Sequence, residues 1–272
     1  MGVFSRLGLA RSDKARAAPR GAPGKRCYVV GDIHGRLDLL TALLDRIAAH
    51  DAERPPRETI LVFLGDLIDR GPDSQGVVAL ARSWRQGAPF RGFSSAPRLV
   101  VLSGNHEDLL VRGLSGASGV LPRWLGLGGD ATARSYDVAV GDLWGRSSED
   151  VALRLEQAIP AADLAFLAGL PTCARFGDYL LAHAGVRPGV GFEEQSPEDL
   201  RWIRKPFLES RADHGGVVVH GHSESLEVEE RPNRIGIDTG AYRTGLLTAL
   251  WIEDEARGFL QATDKDLLAP PA

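Results

Sequence analysis

Six residues of this chain have types and settings that suit chemistry: Asp32, His34, Asp66, Asn105, His183 and His222. They lie in five short clusters, Gly31-Asp32-Ile33-His34-Gly35, Gly65-Asp66-Leu67-Ile68-Asp69-Arg70-Gly71, Gly104-Asn105-His106-Glu107, His183-Ala184-Gly185 and His220-Gly221-His222. Two carboxylates, three imidazoles and an amide oxygen suit Mn²⁺, Fe or Zn²⁺ better than Ca²⁺ or a thiolate-seeking metal. The spacing of Asp32 and His34 predicts that both point the same way off a strand end. One carboxylate among six ligands can bridge two ions, and the flanking glycines let backbone and metals approach closely. Two such ions, roughly 3.5–4 Å apart, would share a water of lowered pKa, the nucleophile for in-line phosphoryl displacement. Arg70 and a second arginine could clamp the phosphate oxygens bidentately. A pattern such as Gly-Asp-x-His-Gly arises by chance in on the order of one chain in several hundred of this length. Five such clusters, each at a strand end, exclude coincidence.

The clusters demand a scaffold that gathers strand ends. Arg26–Val30, Thr59–Leu64 and Leu99–Leu102 are continuous apolar runs, each leading into one of the first three clusters. A helical period follows the first run through Leu37, Leu40, Leu43, Leu44 and Ile47, and a second helix is expected over 73–85. Apolar strands separated by helices predict a parallel sheet covered on both faces, with functional groups beyond its carboxyl ends. Residues 107–177 read as an inserted, mainly helical segment with a helix around 148–168. Strands resume at 179–182, 216–219, 234–237, 246–252 and 257–262. A helix over 197–208 starts with Ser196 as cap, Pro197 in first position and Asp199 three residues on.

Composition narrows the class. The chain has 272 residues, 25% charged and 43% hydrophobic, enough for a substantial core and ordinary for a globular protein. No run of eighteen apolar residues exists to span a membrane. A net charge of −4 gives no global attraction to nucleic acid. Two cysteines, Cys27 and Cys173, make no disulfide framework and point to a reducing cytoplasm. Residues 1–26 are the exception in charge, with seven Lys and Arg against Asp13 alone. They carry no secretory apolar stretch, and residues 1–25 read as a disordered basic tail. The expected catalytic domain covers 26–262, with a short tail at 263–272.

The five clusters together resemble the phosphoprotein-phosphatase branch of the calcineurin-like metallophosphoesterases, above all its bacterial and phage members. The resemblance covers roughly residues 26–262. It implies an α/β (α+β) four-layer αββα sandwich and a dinuclear metal centre, most readily of Mn²⁺. By position, Asp32 and His34 would hold one metal, Asp66 would bridge, and Asn105, His183 and His222 would hold the other. His106 would be the general acid, oriented by Asp69, and Arg70 would bind phosphate. Trp202-Ile203-Arg204 is similar to a Trp-x-Arg stretch of the bacterial members, implying Arg204 as the second clamp. Ser103 stands where eukaryotic members carry Arg, and their C-terminal tyrosine motif is absent. Glu107 is expected to stiffen its loop, and Tyr136 lies in a stretch similar to the bacterial members without an assignable chemistry.

The implied activity is hydrolysis of phosphate monoesters, foremost phosphoserine and phosphothreonine in proteins. The same centre would serve a dinucleoside tetraphosphatase or a broad phosphomonoesterase or phosphodiesterase. A catalytically inactive binding module is the non-enzymatic alternative. The expected partner is a phosphorylated protein, peptide or small phosphoester, with no nucleic acid and no membrane span. The sequence leaves the oligomeric state open.

Overall fold

The computed structural model describes residues 18–90, 92–93 and 96–268. From the start, β1 (Lys25–Val30), α1 (Leu37–Ala52), β2 (Glu58–Phe63), α2 (Ser74–Arg85) and β3 (Arg98–Val101) alternate as the apolar pattern requires. Helices follow: α3 (Asn105–Leu114), α4 (Val120–Trp124), α5 (Asp130–Ser135), α6 (Ser148–Ala158) and α7 (Ala161–Ala168). The second half contains β4 (Cys173–Phe176), β5 (Tyr179–Ala182), α8 (Pro197–Trp202), α9 (Lys205–Leu208) and β6 (Val217–His220). It closes with β7 (Glu229–Arg231), β8 (Arg234–Gly236), α10 (Ala241–Thr244), β9 (Leu246–Glu253) and β10 (Ala256–Thr263).

The strands form two sheets, in the orders β10-β9-β1-β2-β3 and β4-β5-β6-β8-β7. β1, β2 and β3 run parallel, as do β5, β6 and β8, and antiparallel strands flank each trio. Side-chain alternation explains why the central strands are apolar at every position. From β1, Tyr28 and Val30 enter a core shared with α1 and α2, whereas Cys27 and Val29 face the other sheet. From β5, Tyr179 and Leu181 meet them between the sheets, and Leu180 and Ala182 pack outward on Leu200 and Phe207. The result is helices, sheet, sheet, helices. The parallel sheet is covered on both faces as expected, but one cover is a second sheet.

Helices α3 to α7 pack into the same core as α1 and α2, through Leu109, Trp124, Leu155 and Phe166. The segment 107–177 is therefore helical as far as Ala168, shares the main core, and ends in β4. The expected helix at 148–168 is two, because Pro160 lacks the N–H to continue α6. The helix at 197–208 divides likewise before Pro206, while Ser196 caps its start by accepting the Asp199 N–H. Two strands had no sequence expectation: β4 and β7 are short and mostly half-buried or exposed.

Residues 1–17 and 269–272 of the expected tails lie outside the described residues. Chain already tied to the body precedes residue 25. Arg20 N–H donates to Asp178 Oδ2 at 2.8 Å, and Gly21 N–H to the Asp254 carbonyl at 2.7 Å.

Candidate active site

The carboxyl ends of β1, β2 and β3 meet those of β5, β6 and β8, and the loops beyond them are stitched together by hydrogen bonds. Gly221 N–H donates to the His183 carbonyl at 2.8 Å and Ile237 N–H to the His220 carbonyl at 2.9 Å. The two sheets join where His222 N–H donates to Asp32 Oδ2 at 2.9 Å. Strand alternation does not place Asp32 and His34, because β1 has ended at Val30. Instead Ile33 and His34 both donate their N–H to the Asp66 carbonyl, at 3.1 and 2.8 Å, and His34 turns into the left-handed region. His34, Asp66, Asp69, Arg70 and His222 are five of the seven described non-glycine residues at positive φ. Each such conformation costs of order 1–3 kcal/mol and persists only where its surroundings enforce it.

Glu107 supplies much of that enforcement. Its buried carboxylate accepts the N–H groups of Asp66, Leu67, Ile68 and Gly104 at 2.9, 2.8, 3.3 and 2.8 Å. The stiffening role expected for it thus has a definite form: it wires the β2 loop to the start of α3. Glycine is required beside the two acids. A Cβ on Gly104 would lie 2.1 Å from Asp66 Oδ1, and one on Gly221 only 1.9 Å from Asp32 Oδ1.

Four of the other five expected ligands surround Asp66. His34 Nε2 is 3.4 Å from Asp66 Oδ2, and His183 Nε2 is 3.4 Å from Asp66 Oδ1 and 2.9 Å from Asn105 Oδ1. Two sets of candidate ligand atoms, His34/Asp66/His106 and Asp66/His183/His222, share this carboxylate. The sixth, Asp32, faces His183 and His222 from the side, its Oδ1 4.0 Å from His183 Nδ1. Backbone carbonyls fix the rings: Ile68 O sits 2.8 Å from His34 Nδ1 and Leu64 O 3.1 Å from His183 Nδ1. Their second nitrogens are thereby left as lone-pair donors.

The electrostatics suit a cation. Burial, then the charges of Asp238 and Asp66, push Asp32 well above the ordinary carboxylate range. Burial also lifts Asp238 to about 6 and Glu107 to about 7. The histidines go the other way. Burial lowers His183 to about 3 and His222 to about 2, with neighbouring rings and Arg204 adding to the effect, and it lowers His34 strongly. Neutral imidazoles among crowded carboxyls are a divalent-metal environment. Asp32 Oδ1 and His222 Nε2 support this directly, since both are buried without a hydrogen-bond partner. A bound cation would satisfy both atoms.

At the edge of this cluster His106 is oriented by a buried carboxylate. Its Nδ1 donates to Asp69 Oδ2 at 2.6 Å, and its Nε2 lies 3.8 Å from Asp66 Oδ2. Asp69 is fixed in turn: Thr132 Oγ1 donates to its Oδ1 at 2.6 Å, and its own N–H reaches Thr132 and Ser74. Burial alone would lower the His106 pKa, but the Asp66 charge and the Asp69 bond together raise it. Arg70 Nη2 is 3.4 Å from His106 Nε2, and Arg70 Nη1 donates to Glu224. Arg204 is exposed beyond α8, close enough for its charge to reach His183 and His222.

Residues 25–248 match the model of the calcineurin-like phosphoesterase family. The chain belongs to that family. It is 29% identical to serine/threonine-protein phosphatase 1 of Salmonella typhimurium (strain LT2) over 84% of its length and 93% of the relative's. It is 28% identical to the asymmetrical bis(5'-nucleosyl)-tetraphosphatase PrpE of Anoxybacillus flavithermus, covering 82% and 88% of the two chains. The solved structure of a proposed diadenosine tetraphosphatase shares the fold, with a TM-score of 0.58 at 22% identity, covering 89% and 96%. The family uses divalent metal ions, and phosphoester hydrolysis is its chemistry.

Sequence reasoning missed Thr132, Ser74, Asp238, Tyr242 and Glu224. Thr132 lies in the Gly129–Tyr136 stretch already singled out, where Tyr136 itself proves structural: its hydroxyl donates to Asp163 at 3.1 Å. Asp238 ends the apolar run 234–237, the position that marked every other cluster. Glu224 carried no signal.

Proposed function

We propose that this chain is a metal-dependent phosphatase acting on phosphate monoesters, with phosphoserine and phosphothreonine in proteins as its substrates. The observation that carries the reading is His106: a histidine locked by Asp69 through Nδ1, with its other nitrogen facing Arg70 at the edge of a carboxylate–imidazole cluster. In this reading Asp32 and His34 would hold one ion, Asn105, His183 and His222 would hold the other, and Asp66 would serve both. Two divalent ions, Mn²⁺ foremost with Fe or Zn²⁺ as alternatives, would supply Lewis acidity toward the phosphoryl oxygens and activate water. Arg70 and Arg204 bind the phosphoryl oxygens, and Asn105 contributes to their placement. His106 Nε2 hands its proton to the departing alkoxide, while Asp69 accepts the Nδ1–H and stabilises the doubly protonated ring that carries that proton.

Hydrolysis of dinucleoside tetraphosphates is a second reading, favoured by the PrpE relative at nearly the same identity as the protein phosphatase. Among the described residues no helix is long and apolar enough to cross a membrane. The two unpaired cysteines support a reducing cytoplasm. The deciding experiment compares turnover by the Mn²⁺-loaded protein on phosphoserine, phosphothreonine and phosphotyrosine peptides, para-nitrophenyl phosphate, its bis ester and diadenosine tetraphosphate. Phosphoserine and phosphothreonine peptides should give the highest kcat/KM. A clear preference for diadenosine tetraphosphate would replace this reading with the second.

A further inference from the structure

Arg70 is restrained at every part of its length. Its backbone N–H donates to the Gly128 carbonyl at 3.1 Å, and a Cβ on Gly128 would lie 2.8 Å from Arg70 Cγ, so only glycine fits there. Its guanidinium lies over the Tyr242 ring at 4.7 Å. Nη1 ends on Glu224 Oε1 at 2.9 Å. That same oxygen accepts the Tyr242 hydroxyl at 2.9 Å, and Oε2 accepts Arg243 Nη2 at 3.0 Å. Glu224 is an exposed residue, but these bonds hold its side chain down to 24% exposure. Burial pushes its pKa up, but the bonds to Arg243 and Tyr242 and the Arg70 charge outweigh this and hold it ionised. One carboxylate therefore joins the arginine, the aromatic ring beneath it and a second arginine.

We propose that Glu224 is a positioning residue for Arg70. By taking Nη1, it leaves Nη2, the arm beside His106, as the one presented to a bound phosphoryl group. The inference rests on the reading of Arg70 as a phosphate ligand given above. It distinguishes Glu224 from a competitor for Arg70, because a competitor would occupy the arm that faces His106. An arginine held in place before binding loses less side-chain freedom when the anion arrives, a difference that corresponds to roughly three- to tenfold in affinity. Glu224→Gln keeps an oxygen acceptor for Arg70 and Tyr242 and gives up the Arg243 bond and the carboxylate's charge.

The test uses the Mn²⁺-loaded full chain and inorganic phosphate as probe, with affinity read by calorimetry and KM and kcat read on para-nitrophenyl phosphate. Glu224→Ala should weaken phosphate binding roughly three- to tenfold and raise KM more than it lowers kcat, while Glu224→Gln stays within about twofold of wild type. In an Arg70→Ala background, Glu224→Ala should add nothing, since the two residues act as one unit. Tighter phosphate binding by Glu224→Ala, or losses that simply add, would overturn the positioning role alone. An Arg70→Ala variant with unchanged phosphate affinity would remove the phosphate-ligand reading and this inference with it. The cycle on phosphate affinity decides the matter whichever ester the enzyme turns over.

Discussion

Replacing His106 by Asn tests the proposed division of labour between the metal cluster and the residues around it. The ring is 1% exposed, its Nδ1 is committed to Asp69 at 2.6 Å, and the Asp66 and Asp69 charges keep it protonated more readily than a free histidine. A proton held at Nε2 is what an alkoxide leaving group needs. General acid catalysis contributes 10²–10⁴-fold, or about 2.7–5.4 kcal/mol of barrier. His106→Asn should therefore lower turnover of a phosphoserine peptide by that factor. Para-nitrophenyl phosphate leaves as an acidic phenol and should lose about tenfold or less. Asp69→Asn should show the same asymmetry more weakly. Thr132 still anchors the side chain, but the bond to His106 loses its charge, worth ~1.5–3 kcal/mol, or about 10–150-fold. The assay is steady-state kinetics on both substrates with metal content measured in each preparation. Equal losses on the two substrates at full metal content would refute leaving-group protonation. A fall in metal content would place His106 among the ligands.

Chelation should abolish activity, with Mn²⁺ restoring it best, and Asp66→Asn should stay inactive at any metal concentration; full turnover in metal-free buffer contradicts the dinuclear centre. Glu107→Gln replaces one of two oxygens that each receive two backbone N–H groups. Leaving two buried donors unsatisfied costs about 2–6 kcal/mol, so Tm measured in chelator should fall by roughly 5–20 °C. His220 is buried and neutral, its pKa lowered by burial to about 4. Because this lies below the ordinary 6.5, its contribution to stability is complete above pH 6.5 and is lost as pH falls toward 4. Between pH 7.5 and 5 the stability advantage of wild type over His220→Gln, read from denaturant midpoints, should shrink by about 2 kcal/mol. A gap that does not change with pH would mean His220 is not held neutral.

The candidate site of this protein was legible in its sequence because it depends on residue type and short spacing. Gly31–Gly35, Gly65–Gly71 and Gly104–Glu107 announce candidate ligands, strand ends and tight loops at once, and the apolar runs before them could only be buried strands. The cap at Ser196 is equally local, a hydroxyl accepting a nearby N–H; the helix breaks at Pro160 and Pro206 are local too, rings with no N–H to give, although each expected helix runs straight across its proline. Other features depended on which surfaces the two sheets bring together. An apolar strand requires cover on both faces, but its composition is the same whether the cover is a helix or another sheet. The turn at His34 is set by the Asp66 carbonyl. Asp69 is secured by Thr132, 63 residues away, and Arg70 by Glu224, 154 residues away. No periodicity records such pairs. They arise because the sheets align their carboxyl ends, and only then do these distant polar groups, partly or wholly shielded from water, find their hydrogen-bond partners in one another.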